Sequence, residues 1–294
     1  MATGRIVRGG ADSRGAAQAK PPPLRLAVIG TDTGVGKSRV TALLTRGLRA
    51  HGRAVWLHKP VACGGWDEAT ATAEDGRSLE ALCGDGQARG TVCPRQFPAA
   101  ASPHLAAAEV GAQVLATDLV ASLAPLCRGA HDLLVEGAGG LATPLSGDRH
   151  HLGEVLRMVI EESDAAVKTG SHQPLHAHRH PLRPVHAAVL VARAGLGTLN
   201  HSTLTAMMAH ACGLGIIGVV VNHVDAEADP GSLALRTAAR EIALSVGAPV
   251  LIELPYCPHI SPQGADFDAQ ALELAAAVLA HSAIDPEPVA GMDV

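Results

Sequence analysis

A glycine-rich segment near the beginning of the chain has the residue types that hold a triphosphate. It reads GTDTGVGKS over residues 30–38 and ends in Gly36, Lys37 and Ser38. In such a loop the lysine reaches the β and γ phosphates, and the hydroxyl suits Mg²⁺. The first glycine of the general pattern G-x-x-x-x-G-K-[ST] would fall at Thr31, so the loop departs from that pattern at one position. A glycine-rich turn without a ligand is the alternative, but the Gly-Lys-Ser ending after an apolar run favours a nucleotide site.

Two later segments add charged groups that are followed by glycines. Lys59 lies in HKPVACGG, residues 58–65, and Glu136 begins EGAGG, residues 136–140. At a site of phosphoryl transfer a lysine can neutralise developing charge, and a carboxylate can complete the shell of Mg²⁺. Either residue alone could equally be an exposed loop residue. Together with the phosphate loop they predict one site, provided that the fold brings the three segments together.

Each of these segments follows a short apolar run, and the runs alternate with Ala- and Leu-rich stretches typical of helices. The runs lack a period of two, which favours a parallel sheet covered on both faces. In such a sheet the carboxyl ends of the strands converge on a ligand crevice. We predict strands at 24–29, 54–58, 133–135, 187–192, 216–221 and 250–254, and helices at 38–50, 117–126, 198–211, 232–246 and 269–280. The fold class is therefore α/β, a single doubly wound, mostly parallel sheet with helices on both faces, of the phosphate-loop nucleoside triphosphatase type.

The predicted domain spans residues 24–284 and is flanked by segments of different composition. Residues 1–23 are poor in large apolar groups, carry four basic residues and end in three prolines. We predict a disordered leader there, with an organellar transit peptide as the alternative, and an acidic tail at 285–294. Residues 150–186 hold seven of the sixteen histidines, interrupted by prolines. We expect an exposed His/Pro-rich insertion at about 164–185 rather than a metal site.

Composition excludes several classes of function. The chain of 294 residues has a formal net charge of −5, which gives no basis for a nucleic-acid partner. No apolar run reaches the roughly 20 residues needed to span a bilayer, and the leader lacks the apolar core of a signal peptide. Six cysteines occur without a C-x-x-C pair, which favours free thiols in a reducing compartment. We therefore expect a cytoplasmic protein without nucleic-acid or membrane partners.

Five motifs taken in order carry a family resemblance. They are GTDTGVGKS at 30–38, KPV at 59–61, SPH at 102–104, VEGAGG at 135–140 and GLGTLNH at 195–201. The set resembles the ATP-dependent dethiobiotin synthetase family over about residues 24–281. Related phosphate-loop families share the first motif but not the later ones together. The family's loop is normally GTDTxVGK[TS], so a threonine at position 31 is the rule there and not a defect.

The resemblance implies an ATP- and Mg²⁺-dependent ligase that forms C–N bonds. Such an enzyme joins CO2 to 7,8-diaminononanoate and closes the ring of dethiobiotin, releasing ADP and phosphate, through a carbamate and a carbamic–phosphoric anhydride. The implied catalytic residues are Lys59, Lys37 and Thr33. The implied Mg²⁺ ligands are Ser38, Asp75 and Glu136.

The resemblance also implies the binding residues for nucleotide and diamine. The nucleotide contacts would be Thr33, Gly34, Val35, Gly36, Lys37, Ser38, Asp75, Glu136, Gly137, Ala138, Gly139, Asn222, His223, Pro255, Tyr256 and Cys257, with Asn222 reading adenine. The substrate contacts would be Cys63, where the family often has Ser or Thr, and Thr198, Leu199 and Asn200. In the family the last three begin a helix that receives the substrate carboxylate across a dimer interface, which implies a homodimer.

Two other classes of phosphate-loop protein compete with this interpretation. A cobyrinate-amidating enzyme has a similar loop but would need a glutaminase domain, which 294 residues cannot easily hold. A partition-type ATPase switch usually carries a second lysine within the loop, in the pattern K-G-G-x-G-K-T. The corresponding position here is Asp32, which disfavours that class.

Overall fold

The computed structural model describes residues 22–168, 185–227, 229, 231–257 and 264–282. Strands and helices alternate along the chain, as the apolar runs predict. In chain order the elements are β1 (Arg25–Gly30), α1 (Lys37–Ala50), β2 (Val55–His58), β3 (Ala62–Cys63), α2 (Glu74–Glu80), β4 (Gln96–Phe97), α3 (Pro103–Glu109), α4 (Ala116–Leu123), β5 (Asp132–Glu136), α5 (Leu152–Lys168), β6 (Ala187–Arg193), α6 (Thr198–Ala211), β7 (Gly215–Asn222), α7 (Leu233–Val246), β8 (Val250–Leu254) and α8 (Ala265–Ser282).

Within the described ranges, six strands form one parallel sheet in the order β2-β5-β1-β6-β7-β8. The strands β3 and β4 form a separate two-stranded parallel pair. The register brings the carboxyl ends of the central strands to one edge, with Val28 opposite Glu136 and His58 opposite Val135. This order confirms the doubly wound α/β fold with helices on both faces.

The core consists of two apolar layers, one on each face of the sheet. Alternate residues of β1 belong to different layers: Leu26 packs with α1 and α8, whereas Ala27 packs with the helices of the opposite face. Leu43 of α1 represents the first layer and Leu156 of α5 the second, and both are fully buried. Because both faces of β1 are covered, its sequence has no polar alternation.

The six predicted strands are confirmed, each within one residue at either end. Three of the five predicted helices agree within one residue at either end, but α8 begins at Ala265, four residues before the predicted start at 269. The predicted helix at 117–126 is too long, because α4 ends at Leu123 and a 3₁₀ turn follows at Leu126–Arg128.

The sequence analysis missed three helices: α2, α3 and α5. Both α2 and α3 have seven residues, too few for a helical period to stand out. The first residues of the expected insertion, 164–168, belong to α5. Its remainder from 169 to 184, the expected leader up to residue 21 and the expected tail lie outside the described residues.

Candidate active site

The phosphate loop connects β1 to α1 and closes tightly on its own backbone. Nζ of Lys37 donates a hydrogen bond to the carbonyl oxygen of Asp32 at 2.9 Å. Gly36 has a φ of 98°, and a Cβ there would lie 2.2 Å from Nδ2 of Asn222. Only glycine satisfies both the backbone angle and this close approach. The loop is therefore shaped by its sequence before any ligand binds.

Lys59 lies just beyond the end of β2 and is shared by two carboxylates. Its Nζ lies 2.7 Å from Oε1 of Glu136 and 2.5 Å from Oδ2 of Asp75. The side chain of Lys59 is 2% exposed and that of Glu136 is 1% exposed. Burial alone would lower the pKa of Lys59, but the two adjacent carboxylates outweigh it and raise that pKa above its ordinary value. The ammonium group therefore stays charged at every physiological pH.

Ser38 joins the same cluster from the first turn of α1. Its Oγ lies 2.9 Å from Oδ1 of Asp75 and 2.8 Å from Oε1 of Glu136. The second carboxylate oxygen of Glu136 is buried and has no hydrogen-bond partner within the described part of the chain. A hydroxyl and two carboxylates are hard oxygen donors of the kind that Mg²⁺ takes, with water and phosphate completing its shell. The three residues therefore fit a magnesium ion, and this second oxygen of Glu136 is available as a further donor atom.

Lys37 provides a second cation within the cluster. Burial, and next the charge of Lys59, lower its pKa to about 8 in the ligand-free protein. An anionic ligand beside Lys37 would reverse this shift by favouring the charged form. The lysine is therefore suited to a highly charged anion such as a triphosphate.

A cleft of about 620 Å³ opens above these groups at the edge of the sheet. Thr33 and Gly34 form one wall, and Ala138 and Gly139 contribute from the loop after β5. Cys63 also lines the cleft, and burial raises the pKa of its thiol to about 11. The thiol is therefore protonated and can only donate or accept weak hydrogen bonds.

The predicted base-binding residues lie at the carboxyl end of β7 and just beyond those of β7 and β8. Asn222 is buried, and its neighbour His223 lies 2.8 Å from Glu253 through Nε2. Tyr256 and Cys257 are exposed. The structure thus groups these side chains at one edge but places none of them in the described wall of the cleft.

Sequence reasoning missed Arg39, which lines the cleft next to the phosphate loop. The guanidinium donates to the carbonyl oxygen of Pro255 at 2.9 Å and to Oδ1 of Asn222 at 3.1 Å. The available signal was a charged residue one helical turn before the apolar residues Ala42 and Leu43. Ser102 and Thr143 also line the cleft, and the first of them was noted only as part of the SPH motif.

The start of α6 lies away from the described cleft wall. Thr198 is buried, and its Oγ1 has no hydrogen-bond partner among the described residues. Leu199 and Asn200 are exposed. A single chain therefore does not bring these three predicted substrate contacts into the site.

Comparison with known proteins decides the family. The AAA domain family model matches residues 25–152 and 186–264. The ATP-dependent dethiobiotin synthetase BioD of Anaeromyxobacter dehalogenans strain 2CP-C is 34% identical over 236 residues, which is 80% of this chain and 92% of that protein. The chain belongs to the dethiobiotin synthetase family. Family members from Xanthomonas campestris pv. campestris strain 8004 and Rhodopirellula baltica are 31% and 33% identical, over 81% and 76% of this chain and 93% and 81% of their own lengths.

Solved structures of other phosphate-loop proteins are more distant than these dethiobiotin synthetases. A ParA family ATPase from Chlorobium tepidum TLS is 10% identical, with 88% of this chain and 92% of that chain covered and a TM-score of 0.42. The septum site-determining protein MinD from Pyrococcus horikoshii OT3, complexed with Mg-ADP, is 15% identical, with 86% and 94% covered and a TM-score of 0.43. The parallel strand order β2-β5-β1-β6-β7-β8 by itself defines the fold of this chain.

In the described part of the chain, no helix is both long and apolar enough to cross a membrane.

Proposed function

We propose that this chain is an ATP- and Mg²⁺-dependent dethiobiotin synthetase. It would join CO2 to 7,8-diaminononanoate and close the ureido ring of dethiobiotin, releasing ADP and phosphate. The observation that carries the proposal is the buried Lys59, held between Asp75 and Glu136 beside Ser38 at the base of the phosphate-loop cleft. The identity of the substrates is inferred from the family to which the chain belongs. The cluster around Lys59 provides the charged groups that the reaction needs.

The chemistry brings two anions together and therefore requires fixed cations. One amine of the diamine attacks the carbon of CO2 and loses a proton, which gives a carbamate. A carbamate oxygen then attacks the γ-phosphorus of ATP, and ADP leaves. The ammonium groups of Lys37 and Lys59 would neutralise this charge, and such preorganised groups stabilise a transition state strongly. The hydroxyl of Thr33, on the cleft wall, can donate a hydrogen bond to the carbamate.

Ring closure follows from the mixed carbamic–phosphoric anhydride. The second amine attacks the carbonyl carbon, phosphate leaves with the bonding electron pair, and the amine proton is released. A water-excluding site protects such an anhydride from hydrolysis. Lys59 is suited to hold the departing phosphate, because its carboxylate neighbours keep it protonated.

Ser38, Asp75 and Glu136 would hold Mg²⁺, as their oxygen atoms fit this ion. When bound, the ion supplies positive charge to the phosphate oxygens of ATP. Asp75 and Glu136 each lie within hydrogen-bond distance of Ser38 without the ion, which supports their assignment as a common set of ligands.

A homodimer belongs to the same proposal. Leu196, Leu204 and Met207 lie at or near α6 and are exposed, the first of them by 89%. Large apolar side chains exposed together mark an interaction surface. A partner chain would cover them and bring the start of its own α6, with Thr198, Leu199 and Asn200, to the substrate carboxylate. A cytoplasmic location remains our expectation from the sequence.

The test is turnover of ATP by the purified chain with and without its proposed co-substrates. A dethiobiotin synthetase releases phosphate only when both the diamine and CO2 are present. Expression of the chain should also restore growth of a biotin auxotroph that lacks the dethiobiotin step. ATP turnover that is indifferent to the diamine would instead favour an ATPase switch of the partition type.

A further inference from the structure

Arg39 connects the wall of the cleft to both segments in which the base-binding residues are predicted. It lines the cleft from the first turn of α1. Its Nη1 donates to Oδ1 of Asn222, at the end of β7, at 3.1 Å, and to the carbonyl oxygen of Pro255, just after β8, at 2.9 Å. Its Nη2 donates to Oε1 of Gln270 in α8 at 3.1 Å. One side chain thus joins α1 to three other parts of the fold.

The guanidinium of Arg39 is a charged group in a buried position. Arg39 is 6% exposed, and burial lowers its pKa, though from an ordinary value so high that the group remains charged. Its three acceptors are uncharged oxygens. A buried cation depends on such acceptors, so a displacement of any of them would leave part of the charge unsatisfied. The three contacts therefore hold the guanidinium and its partners in fixed relative positions.

The contact with Arg39 also fixes the orientation of the amide of Asn222. A guanidinium only donates hydrogen bonds, so it takes the oxygen end of an amide and not the nitrogen end. On the other side, Nδ2 of Asn222 donates to the carbonyl oxygen of Val35 at 3.0 Å. A flipped amide would set donor against donor at Arg39 and acceptor against acceptor at Val35. The amide is therefore held in one orientation from both ends.

These two contacts use only half of the bonding capacity of the Asn222 amide. Nδ2 has a second N–H, and Oδ1 has a second lone pair. An asparagine amide can bond the edge of adenine with one donor and one acceptor, because N7 of adenine accepts and its 6-amino group donates. Guanine has an oxygen acceptor in place of that amino group, so it cannot satisfy the amide in the same way. The preference between the two bases therefore depends on how firmly this amide is held.

We propose that Arg39 is a positioning residue for base selection, which holds Asn222 and the segment that begins at Pro255 in the arrangement that favours adenine. It acts through these groups and not by binding phosphate. The resemblance gives the reading of adenine to Asn222 and gives Arg39 no role. The inference rests on the proposed function in taking ATP as the nucleotide. It concerns binding alone and does not depend on ring closure.

The test measures base selectivity separately from phosphate affinity. Calorimetric titrations of the full chain with ATP, GTP and inorganic tripolyphosphate, all with Mg²⁺, give three Kd values for the wild type and for Arg39→Met. We expect the ratio of the GTP Kd to the ATP Kd to fall about tenfold in the variant, since a buried hydrogen bond that holds the amide is lost. Tripolyphosphate has no base, and its Kd should change by less than about twofold.

Three outcomes of these titrations would overturn the proposal. A wild type that binds ATP and GTP equally has no base selection for Arg39 to support. An Arg39→Met protein that keeps the wild-type ratio would show that the amide needs no such support. Equal weakening of ATP and tripolyphosphate would mean that Arg39 serves the phosphates.

Arg39→Lys provides a second variant in case the methionine variant does not fold. It keeps the buried charge but replaces the planar fork with a single ammonium group. Such a group cannot bond Asn222 and Gln270 from two separate nitrogens, so we expect the ratio to fall by at least about threefold, with tripolyphosphate binding unchanged. The wild-type ratio in a folded Arg39→Lys protein would mean that charge alone is sufficient, and the positioning role would be rejected.

Arg46→Met is a matched control on the same helix. Arg46 lies two turns after Arg39 and donates to both carboxylate oxygens of Asp268 in α8, at 2.8 and 3.3 Å. It joins the same two helices but is not among the described residues that line the cleft. The control should keep the wild-type ratio. A similar fall in the ratio would mean that loosening of α1 against α8 explains both variants, which contradicts a specific role for Arg39.

A double variant tests whether Arg39 acts through Asn222. Asn222→Ala should itself lower the ratio, and the addition of Arg39→Met should lower it no further. Losses that multiply would mean that Arg39 contacts the base independently, and the wild-type ratio in Asn222→Ala would mean that the amide does not read the base. Either result would overturn the proposal. None of these titrations contains diamine or CO2, so a failure of the ring-closing activity leaves their outcome independent.

Discussion

Nζ of Lys59 lies 2.7 Å from Oε1 of Glu136, and both side chains are sealed from solvent. Lysine and glutamate come from different strand ends, 77 positions apart in the chain. Taking either charge away leaves the other buried and unpaired, and an unpaired buried charge costs far more than the pair contributes. A substitution of Lys59 or Glu136 should therefore lower the stability of the fold as well as change the site.

Lys59→Met should nearly abolish ring closure and also destabilise the protein. Activity should fall by about 10²–10³, the effect of losing one preorganised charge-stabilising group. The free energy of unfolding should fall by about 3–5 kcal/mol, because Glu136 loses its buried partner. Steady-state kinetics and denaturant unfolding measure the two effects.

The double variant Lys59→Met/Glu136→Gln separates stability from catalysis. It removes both charges, so much of the stability should return while activity stays low. Turnover at the wild-type rate in the single variant would show that Lys59 has no role in the reaction.

Glu136→Gln should raise the Mg²⁺ concentration required for half-maximal activity, because it removes a ligand charge and almost no volume. Asp132→Asn is the matched control, since Asp132 is buried on the same strand and is paired with Arg53. The control should lose stability and keep its magnesium dependence. Magnesium titrations that match the wild type for Glu136→Gln would show that this residue is not a ligand.

The depressed pKa of Lys37 predicts proton uptake when ATP binds. In the free protein the group is half deprotonated near pH 8, and bound triphosphate would favour its charged form. ATP affinity should therefore fall as the pH rises above about 8. Calorimetry at that pH in two buffers of different ionisation enthalpy measures the protons taken up.

The lowered pKa of Lys37 also affects the stability of the folded chain, which should rise with pH where ATP affinity falls. The folded-state pKa of Lys37 lies below its ordinary value of 10.5, so the unfolded chain binds more protons between about pH 8 and that value, and this group's contribution to stability rises with pH there. Lys37→Arg keeps the side chain charged throughout. Lys37→Arg should therefore bind ATP without taking up a proton, and its ATP affinity should not fall above about pH 8. If this variant takes up as many protons as the wild type, the proton binds to a group other than Lys37.

Much of the fold was predictable because the central strands are buried on both faces. Runs such as the one around Val28 are apolar without a period of two, which identified them as buried strands. Because the carboxyl ends of parallel strands converge, Lys59 and Glu136 could be predicted to lie in one site. The short α2 contains Gly76 and buries little apolar surface, so its period was invisible. Asp75 could be placed only by the resemblance, because the loop before α2 has no pattern that fixes its path. Arg39 escaped notice since its partners are far away in sequence.

Gly36→Ala should abolish ATP binding, whereas Gly34→Ala should only weaken it. Both glycines have positive φ, 98° and 74°, so each substitution strains the backbone by about 1 kcal/mol or more. Only at Gly36 does the added methyl group also collide with Asn222, while at Gly34 nothing lies within 4 Å. Equal affinities for ATP in the two variants would contradict the tight fit between the loop and Asn222.

A mixed dimer tests whether two chains share each site. Lys59→Ala disables the catalytic side, and Asn200→Pro distorts the start of α6, so each homodimer should be poorly active. In the heterodimer one of the two shared sites would be intact on both sides, and activity should partly return. No recovery in heterodimers that are shown to form would mean that each site is built within one chain.

We propose above that this site carboxylates a diamine and closes a ring with cleavage of ATP. The most direct measurement supplies ¹³C-labelled bicarbonate, 7,8-diaminononanoate and Mg-ATP to the purified chain, and follows the product by mass spectrometry and the released phosphate together. We predict dethiobiotin that carries one ¹³C atom in its ureido carbonyl, with one phosphate released for each product molecule. Phosphate release without labelled dethiobiotin, from a folded protein that binds ATP, would contradict the account.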